Sequence, residues 1–362
     1  MKISNSDSKL LFLNEDIENI YVRLNSTIAQ MAGKTVMITG AAGFLGRYFI
    51  ALFQYFNSIQ LLNPINMIAL DNHQTSLSLS KDDYRKSDPN IEWIYGDAEI
   101  GAKLPDMVDY IVHAAGIASP EHYQAHPLET IDVAVGATRA LLQKAKDTNA
   151  RFLYFSSSEI YGDPDVLSLP TKETYRGYVS SRGPRACYDE SKRLGETLCW
   201  IYENYFNVHA SVVRPFNIYG PGMLPKDYRV MPNFANSLIN GQSLKVYGSG
   251  KQTRTFCYIS DAIVAFLLIL VEGQKPDVYN VGNPTPEISM RDLANLMSSF
   301  VKTTVDIEVI DYPSKYPKDD PNRRCPDIEK LQSEFGFKPE VDLEQGALKF
   351  FNWARETYKH FQ

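Results

Sequence analysis

Tyr188 and Lys192 stand four residues apart in ACYDESKRLGETLCW, a spacing that puts both side chains on one face of a helix. An ammonium beside a phenol favours the phenolate, lowering its pKa so that it can exchange a proton with a substrate hydroxyl. Alone, the spacing is weak in a chain with 22 tyrosines. Upstream, though, RFLYFSSS ends an apolar run in Ser156, Ser157 and Ser158, with Glu159 next. A hydroxyl at the carboxyl end of a parallel strand points into a ligand crevice. A second constellation precedes both: TVMITG runs into Gly40, Gly43, Phe44, Leu45 and Gly46, and then into the helical RYFIALFQYF. Backbone N–H groups at such a helix start bind a pyrophosphate, and glycine permits the close approach. NMIALD closes on Asp71, whose carboxylate can take both hydroxyls of an adenosine ribose. The following Asn72-His73-Gln74-Thr75 offers no arginine for a 2'-phosphate, so NAD is expected rather than NADP. Asp97 in YGDAEI either meets the adenine amino group or is a solvated loop acid, and Ala114 in YIVHAAG is placed with the cofactor residues.

Such groups need a scaffold, and from Met37 onward short apolar runs alternate with helix-length amphipathic segments. The strand candidates are 35–40, 66–71, 110–116, 151–158, 210–217 and 277–283, with helices following Gly46, Pro127, Tyr188 and Arg291. That alternation predicts an α/β fold, a doubly wound parallel Rossmann sheet with a smaller C-terminal α/β substrate lobe. The expected division is an N-terminal helical extension at 1–33, an NAD-binding domain at 34–213 and a mainly substrate-binding lobe at 214–362, some of whose segments return to the first domain. In the extension, Ile17, Ile20, Tyr21, Leu24, Ile28 and Met31 form one apolar stripe at helical spacing. It reads as a helix docked on the first lobe or on a partner subunit.

Composition narrows the partners. A net charge of -6 provides no global basic field, which argues against nucleic acid or an anionic membrane surface. No run of about eighteen apolar residues is present to span a bilayer. Cys187, Cys199, Cys257 and Cys325 lack any C-x-x-C spacing, so neither a disulfide framework nor a metal site is expected. The first twenty residues hold a four-residue apolar run followed by acids and do not read as a secretory signal, so a cytoplasmic location is expected.

From about Lys34 to Phe351 the chain resembles the extended short-chain dehydrogenase/reductase family of nucleotide-sugar epimerases, dehydratases and decarboxylases. Within it the likeness is greatest to the branch that decarboxylates UDP-glucuronate. The resemblance rests on SSSEIYGDP (156–164), GPRACYDESKR (183–193), RPFNIYGP (214–221), VYGSGKQTRTFCYISD (246–261) and DDPNRRCPDI (319–328). It implies Tyr188 as acid/base, Lys192 on the nicotinamide ribose, Ser157 on the reacting sugar oxygen and Glu159 near sugar carbon five. It implies further that Asn217, Arg254 and Arg324 hold the nucleotide diphosphate, that Ser158, Tyr123 and Arg185 contact substrate, and that the enzyme is a homodimer. Two departures stand out: serine at 157, where decarboxylases usually carry threonine, keeps the hydroxyl but frees its rotation, and HAAGIASPEHY (113–123) differs from the usual strand end, which bears on sugar identity.

The implied product is UDP-xylose, formed through a 4-keto sugar with the hydride returned by the same NAD. A 4,6-dehydratase is the alternative, with Glu159 as base at carbon five, although Ser158 stands where many dTDP-sugar dehydratases carry an aspartate. A 4-epimerase needs only the serine, tyrosine and lysine. A non-catalytic NAD-binding regulator would retain the fold without requiring these four side chains.

Overall fold

The computed structural model describes residues 11–60, 62–76, 87–104, 107–312 and 321–361. Its centre is a seven-stranded parallel sheet built on β1 (Thr35–Thr39), β2 (Asn66–Asp71), β3 (Ile91–Tyr95), β4 (Tyr110–His113), β5 (Arg151–Phe155), β6 (Ala210–Pro215) and the strand Val278–Val281. The spatial order is Val278–Val281, β6, β5, β4, β1, β2, β3. Alternate side chains serve opposite faces. Val36, Ile38, Met67 and Ala69 join one core, whereas Met37, Ile68 and Leu70 join the other. Because both faces are covered, the strands read as continuous apolar runs.

One face carries α1 (Asn14–Ala29), α2 (Phe44–Ile59) and the helix Ile259–Leu267; the other carries Thr138–Thr148 and Ala186–Phe206. β1 pairs with β2 on one side and β4 on the other, so the winding reverses at β1 and a crevice opens beyond the carboxyl ends there. Past Gly220 the chain builds Val230–Ile239, a two-stranded sheet of Leu244–Tyr247 with Ile307–Ile310, and the ribbon Ile288–Ser289, Thr253–Arg254 and Arg323–Arg324. Val278–Val281 returns to the main sheet beside β6.

Several expectations change in detail. β3 was not among the predicted strands, because IEWIY lies at the sheet edge and mixes charged and aromatic residues into a half-exposed run. β4, β5 and β6 stop short of the predicted ends, at His113, Phe155 and Pro215, because the chain turns there into the crevice. Ser158–Tyr161 forms a 3₁₀ turn instead of extending β5. The N-terminal stripe does form α1, with Ile17, Ile20, Leu24 and Ile28 buried and Met31 buried just beyond it. α1 lies against α2 and Ile259–Leu267 of the same chain. Arg23 donates to Asp261 at 2.6 Å, and Thr27 donates to Glu272. Residues 1–10, and Asp319 and Asp320 of the DDPNRRCPDI motif, lie outside the described residues. Among the described residues no helix is long and apolar enough to cross a membrane.

Candidate active site

At the end of β1, Gly40 takes φ +70°, and a methyl group there would lie 2.8 Å from the Ala115 backbone beyond β4. The two strand ends close together only around glycine. α2 then starts at Phe44 with Gly43 as its cap and no side chain capping the first turn. Its N–H groups and its positive dipole end are left to an anion. Gly40, Gly43, Phe44, Leu45, Gly46, Asp71, Asn72, Asp97 and Ala114 line one cavity of about 680 Å³. That lies within the roughly 300–1,000 Å³ typical of small-molecule sites.

Asp71 is buried at the far end of the glycine turn. One carboxylate oxygen accepts from Ala42 N–H at 2.9 Å, and the other accepts from His73 N–H at 2.7 Å and the Ser76 hydroxyl at 2.8 Å. Asn72 donates to Asp97 at 2.8 Å. Across the cavity the helix widens into a π-helical turn, Asp132–Ala137, a distortion frequent at functional sites, and Asp132, Val133 and Gly136 face the cavity. The close glycine approach, the uncapped helix start and the fixed carboxylate together fit a dinucleotide.

Tyr188 and Lys192 are buried in the first turns of Ala186–Phe206. Lys192 donates to the Phe155 carbonyl at 2.7 Å, which ties the helix to the end of β5, and its nitrogen lies 5.8 Å from the centre of the Tyr188 ring. The Ser157 hydroxyl is hydrogen-bonded with the phenol and accepts from Glu159 N–H at 3.2 Å. The expected lowering of the phenol pKa is not met. Burial pushes the Tyr188 phenol up, against the opposing Ser157 bond and the charges of Arg229 and Arg185. Burial also lowers the Lys192 ammonium to about 8, with Glu196 resisting. The lysine is directed at a carbonyl and at ring faces rather than at the phenol oxygen, so desolvation prevails. Tyr123 stacks on Tyr188 with centroids 5.3 Å apart, and the Cys187 thiol contacts the Tyr123 carbonyl.

Ser158 is buried at the start of the 3₁₀ turn that presents Glu159. Glu159 sits between two guanidinium groups: Arg324 donates through both terminal nitrogens, one at 2.8 Å, and Arg185 pairs from the cap of the Tyr188 helix. Arg324 and Arg254 are register partners on adjacent short strands. Arg254 donates to the Thr253 carbonyl at 2.8 Å, and Asn217, at φ +44°, donates to the Thr255 carbonyl at 2.8 Å. The three residues expected at a diphosphate therefore do gather, but the fork of Arg324 is engaged with Glu159. Tyr188, Lys192, Ser157 and Glu159 are not part of the lining of the 680 Å³ cavity.

The model of the NAD-dependent epimerase/dehydratase family matches residues 36–282. The chain belongs to the NAD-dependent epimerase/dehydratase family. It is 39% identical over 314 residues to UDP-glucuronic acid decarboxylase 2 of Arabidopsis thaliana, covering 87% of this chain and 66% of that one. It is 37% identical over 313 residues to UDP-glucuronic acid decarboxylase 6 of the same plant, covering 86% of each. The chain thus spans about two thirds of the length of the first relative and most of the second. Its fold resembles the solved dTDP-glucose 4,6-dehydratase of Streptomyces venezuelae with NAD and TYD bound, at a TM-score of 0.77 and 23% identity over 90% of this chain and 98% of that one. NAD is the cofactor of the family. The matched span takes in the glycine turn, Ser157, Glu159 and the Tyr188/Lys192 pair; α1 precedes it and Arg324 follows it.

Two features of this family member escape sequence reasoning. Arg229 caps Val230–Ile239, pairs with Asp227 (Nε to Oδ1, 2.9 Å), and lies 6.0 Å from the centre of the Phe44 ring at the cavity wall. Its only signal was an acid and a base before an apolar run, which is too common to single out. The other is a buried pair, Glu196 and Arg214, behind the strand-end serines.

Proposed function

We propose that this enzyme converts UDP-glucuronate to UDP-xylose through a 4-keto intermediate. NAD, when bound, supplies a hydride acceptor at sugar carbon four and gives the hydride back, so that no net oxidation results. Gly40, Gly43, Phe44, Leu45 and Gly46 hold its pyrophosphate through backbone N–H groups, and Asp71 takes the adenosine ribose hydroxyls. Asn72, Asp97 and Ala114 form the adenine side, and Lys192 bonds the nicotinamide ribose.

Tyr188, acting as the phenolate, takes the proton of the sugar 4-hydroxyl and gives it back to the same oxygen when the hydride returns, with Ser157 steadying that oxygen. The ketone so formed lies β to the carbon-six carboxylate. The bond between carbons five and six then breaks, carbon dioxide leaves, and the electron pair spreads into the ketone. Tyr188 and Ser157 stand as preorganised donors to that oxygen as its charge grows. Glu159, held by Arg185 and Arg324, faces carbon five, where a proton must be restored. Asn217 and Arg254 hold the diphosphate, while Ser158 and Tyr123 shape the sugar pocket. Residues 34–213 carry the NAD site, 214–362 mainly the nucleotide sugar, and 1–33 forms the extension.

What supports decarboxylation is the likeness, over most of the chain, to enzymes of that name. The site agrees: expulsion of hydroxide from carbon six asks for an acid beside Glu159, and buried Ser158 stands there. Epimerisation leaves the doubly clamped Glu159 without a task. The deciding measurement is the mass of products after incubation with a panel of nucleotide sugars. Loss of carbon dioxide from UDP-glucuronate is expected; loss of water from a neutral hexose nucleotide, or an unchanged mass, overturns the reading.

A homodimer is part of the proposal. Leu194, Leu198, Ile201 and Tyr205 make a stripe along Ala186–Phe206 that is partly or fully open to solvent, and Leu128 and Ile131 of the neighbouring helix extend it. Leucines 70% and 47% exposed on adjacent helices form an apolar face that a second copy would cover. Leu194→Glu is expected to halve the mass measured by sedimentation without lowering helix content. A variant of unchanged mass argues for another interface.

A further inference from the structure

The segment Leu11–Ala29 precedes the span shared with the family, yet Leu11, Phe12, Ile17, Ile20, Leu24 and Ile28 are all buried. Its amino end rests against residues 221–223, where a loop without regular structure begins and runs to Arg229. Gly222, Met223, Leu224, Lys226, Asp227 and Arg229 of this loop form one wall of the cofactor cavity. The loop start is fixed from behind by four contacts. Tyr48 donates its hydroxyl to the Pro221 carbonyl at 3.0 Å, Arg47 donates to the Gly222 carbonyl, and the Tyr358 hydroxyl donates to the Met223 carbonyl at 3.0 Å. Leu11 supplies the fourth: Gly222 has φ +100°, and a methyl group on it would fall 2.5 Å from the Leu11 carbonyl oxygen.

Phe12 then packs on Tyr48, with centroids 6.2 Å apart, and Tyr48 packs edge-on against Phe44 at 6.0 Å. Phe44 belongs to the glycine turn that lines the same cavity beside this loop. A continuous row of contacts therefore runs from the N-terminal segment into both the loop and the glycine turn.

We propose that Leu11 and Phe12 are positioning residues for cofactor retention: the N-terminal segment buttresses residues 221–229 against the glycine turn and slows dinucleotide release. This rests on the assignment of the cavity to NAD. A cofactor that lends a hydride and takes it back is best kept bound between turnovers, and a wall held from behind keeps it so without any added ligand contact.

The test is NADH release from the whole 362-residue chain, followed by fluorescence, in Phe12→Ala, Tyr48→Phe and Ile28→Ala. Ile28→Ala removes a buried side chain from the far end of the helix that follows Phe12, and serves as the control for lost stability alone. Release is expected to quicken about fivefold or more in Phe12→Ala and Tyr48→Phe, the scale of one lost contact or hydrogen bond, and to stay at the wild-type rate in Ile28→Ala. If Phe12→Ala does not fold, Phe12→Leu carries the test, since it keeps an apolar side chain and loses the ring that packs on Tyr48. Unchanged release in the folded variants, or equal acceleration in Ile28→Ala, overturns the buttress. A wild-type protein that binds no NADH overturns the cavity assignment and the buttress with it.

Discussion

Tyr188→Phe lowers kcat on UDP-glucuronate by about a thousandfold, within the range of roughly 10²- to 10⁴-fold that a positioned acid/base supplies. The substitution removes one oxygen and little else. The ring keeps its stack on Tyr123, and Lys192 keeps its bond to the Phe155 carbonyl, so neither the helix nor the strand end loses its anchor. NADH titration is expected to return nearly the wild-type affinity, because the glycine turn and Asp71 are untouched and Lys192 keeps its place on the Phe155 carbonyl. Thermal unfolding is expected to shift only slightly, because the phenol that is removed was held in its neutral form by burial and bonded to Ser157. Full residual activity would contradict the role given to Tyr188. A loss of NADH binding equal to the loss of rate would move the residue from the chemistry to the cofactor site.

How far the site could be read from the sequence follows from how local its parts are. The glycine turn is a strand, a turn and a helix in one stretch, and Asp71 closes the very next strand, so all of it falls within one crossover unit. Tyr188 and Lys192 are a helical i, i+4 pair and equally local. The sheet was legible because strands covered on both faces are apolar throughout, and β3 escaped because an edge strand lacks that signature. Glu159 shows where such reading stops. Its type was apparent, but its partner Arg324 lies 165 positions away, and only the short ribbon joining Thr253–Arg254 to Arg323–Arg324 brings that guanidinium to it. The direction of the Tyr188 pKa failed for a related reason. Spacing puts an ammonium near a phenol, while the angle of approach and the degree of burial, which decide the sign, are set by β5.

Glu196→Ala is expected to destabilise the fold by about 3–5 kcal/mol, the cost of leaving a buried charge without its partner. Glu196 lies one helical turn beyond Lys192 and accepts from Arg214 through both oxygens, at 2.9 and 2.6 Å; the two side chains are only 13% and 9% exposed. Burial works against the Arg214 charge, yet the hydrogen-bonded Glu196 outweighs it and holds the guanidinium pKa above its ordinary range. The same guanidinium donates to the Tyr161 hydroxyl at 2.7 Å and the Glu173 carbonyl at 2.8 Å, and Tyr161 donates in turn to Asn280 at 2.7 Å. Ser156 donates its hydroxyl to Glu196. One network thus joins the end of β5, the turn carrying Glu159, the Tyr188 helix, β6 and Val278–Val281. Chemical denaturation of Glu196→Ala measures the loss, and a change below about 1 kcal/mol, the scale of an exposed pair, would contradict it. Glu196→Leu combined with Arg214→Met removes both charges and is expected to recover much of the stability, as apolar replacements of buried pairs often do. It is not expected to recover turnover, because Tyr161 then loses the guanidinium that anchors the turn presenting Glu159.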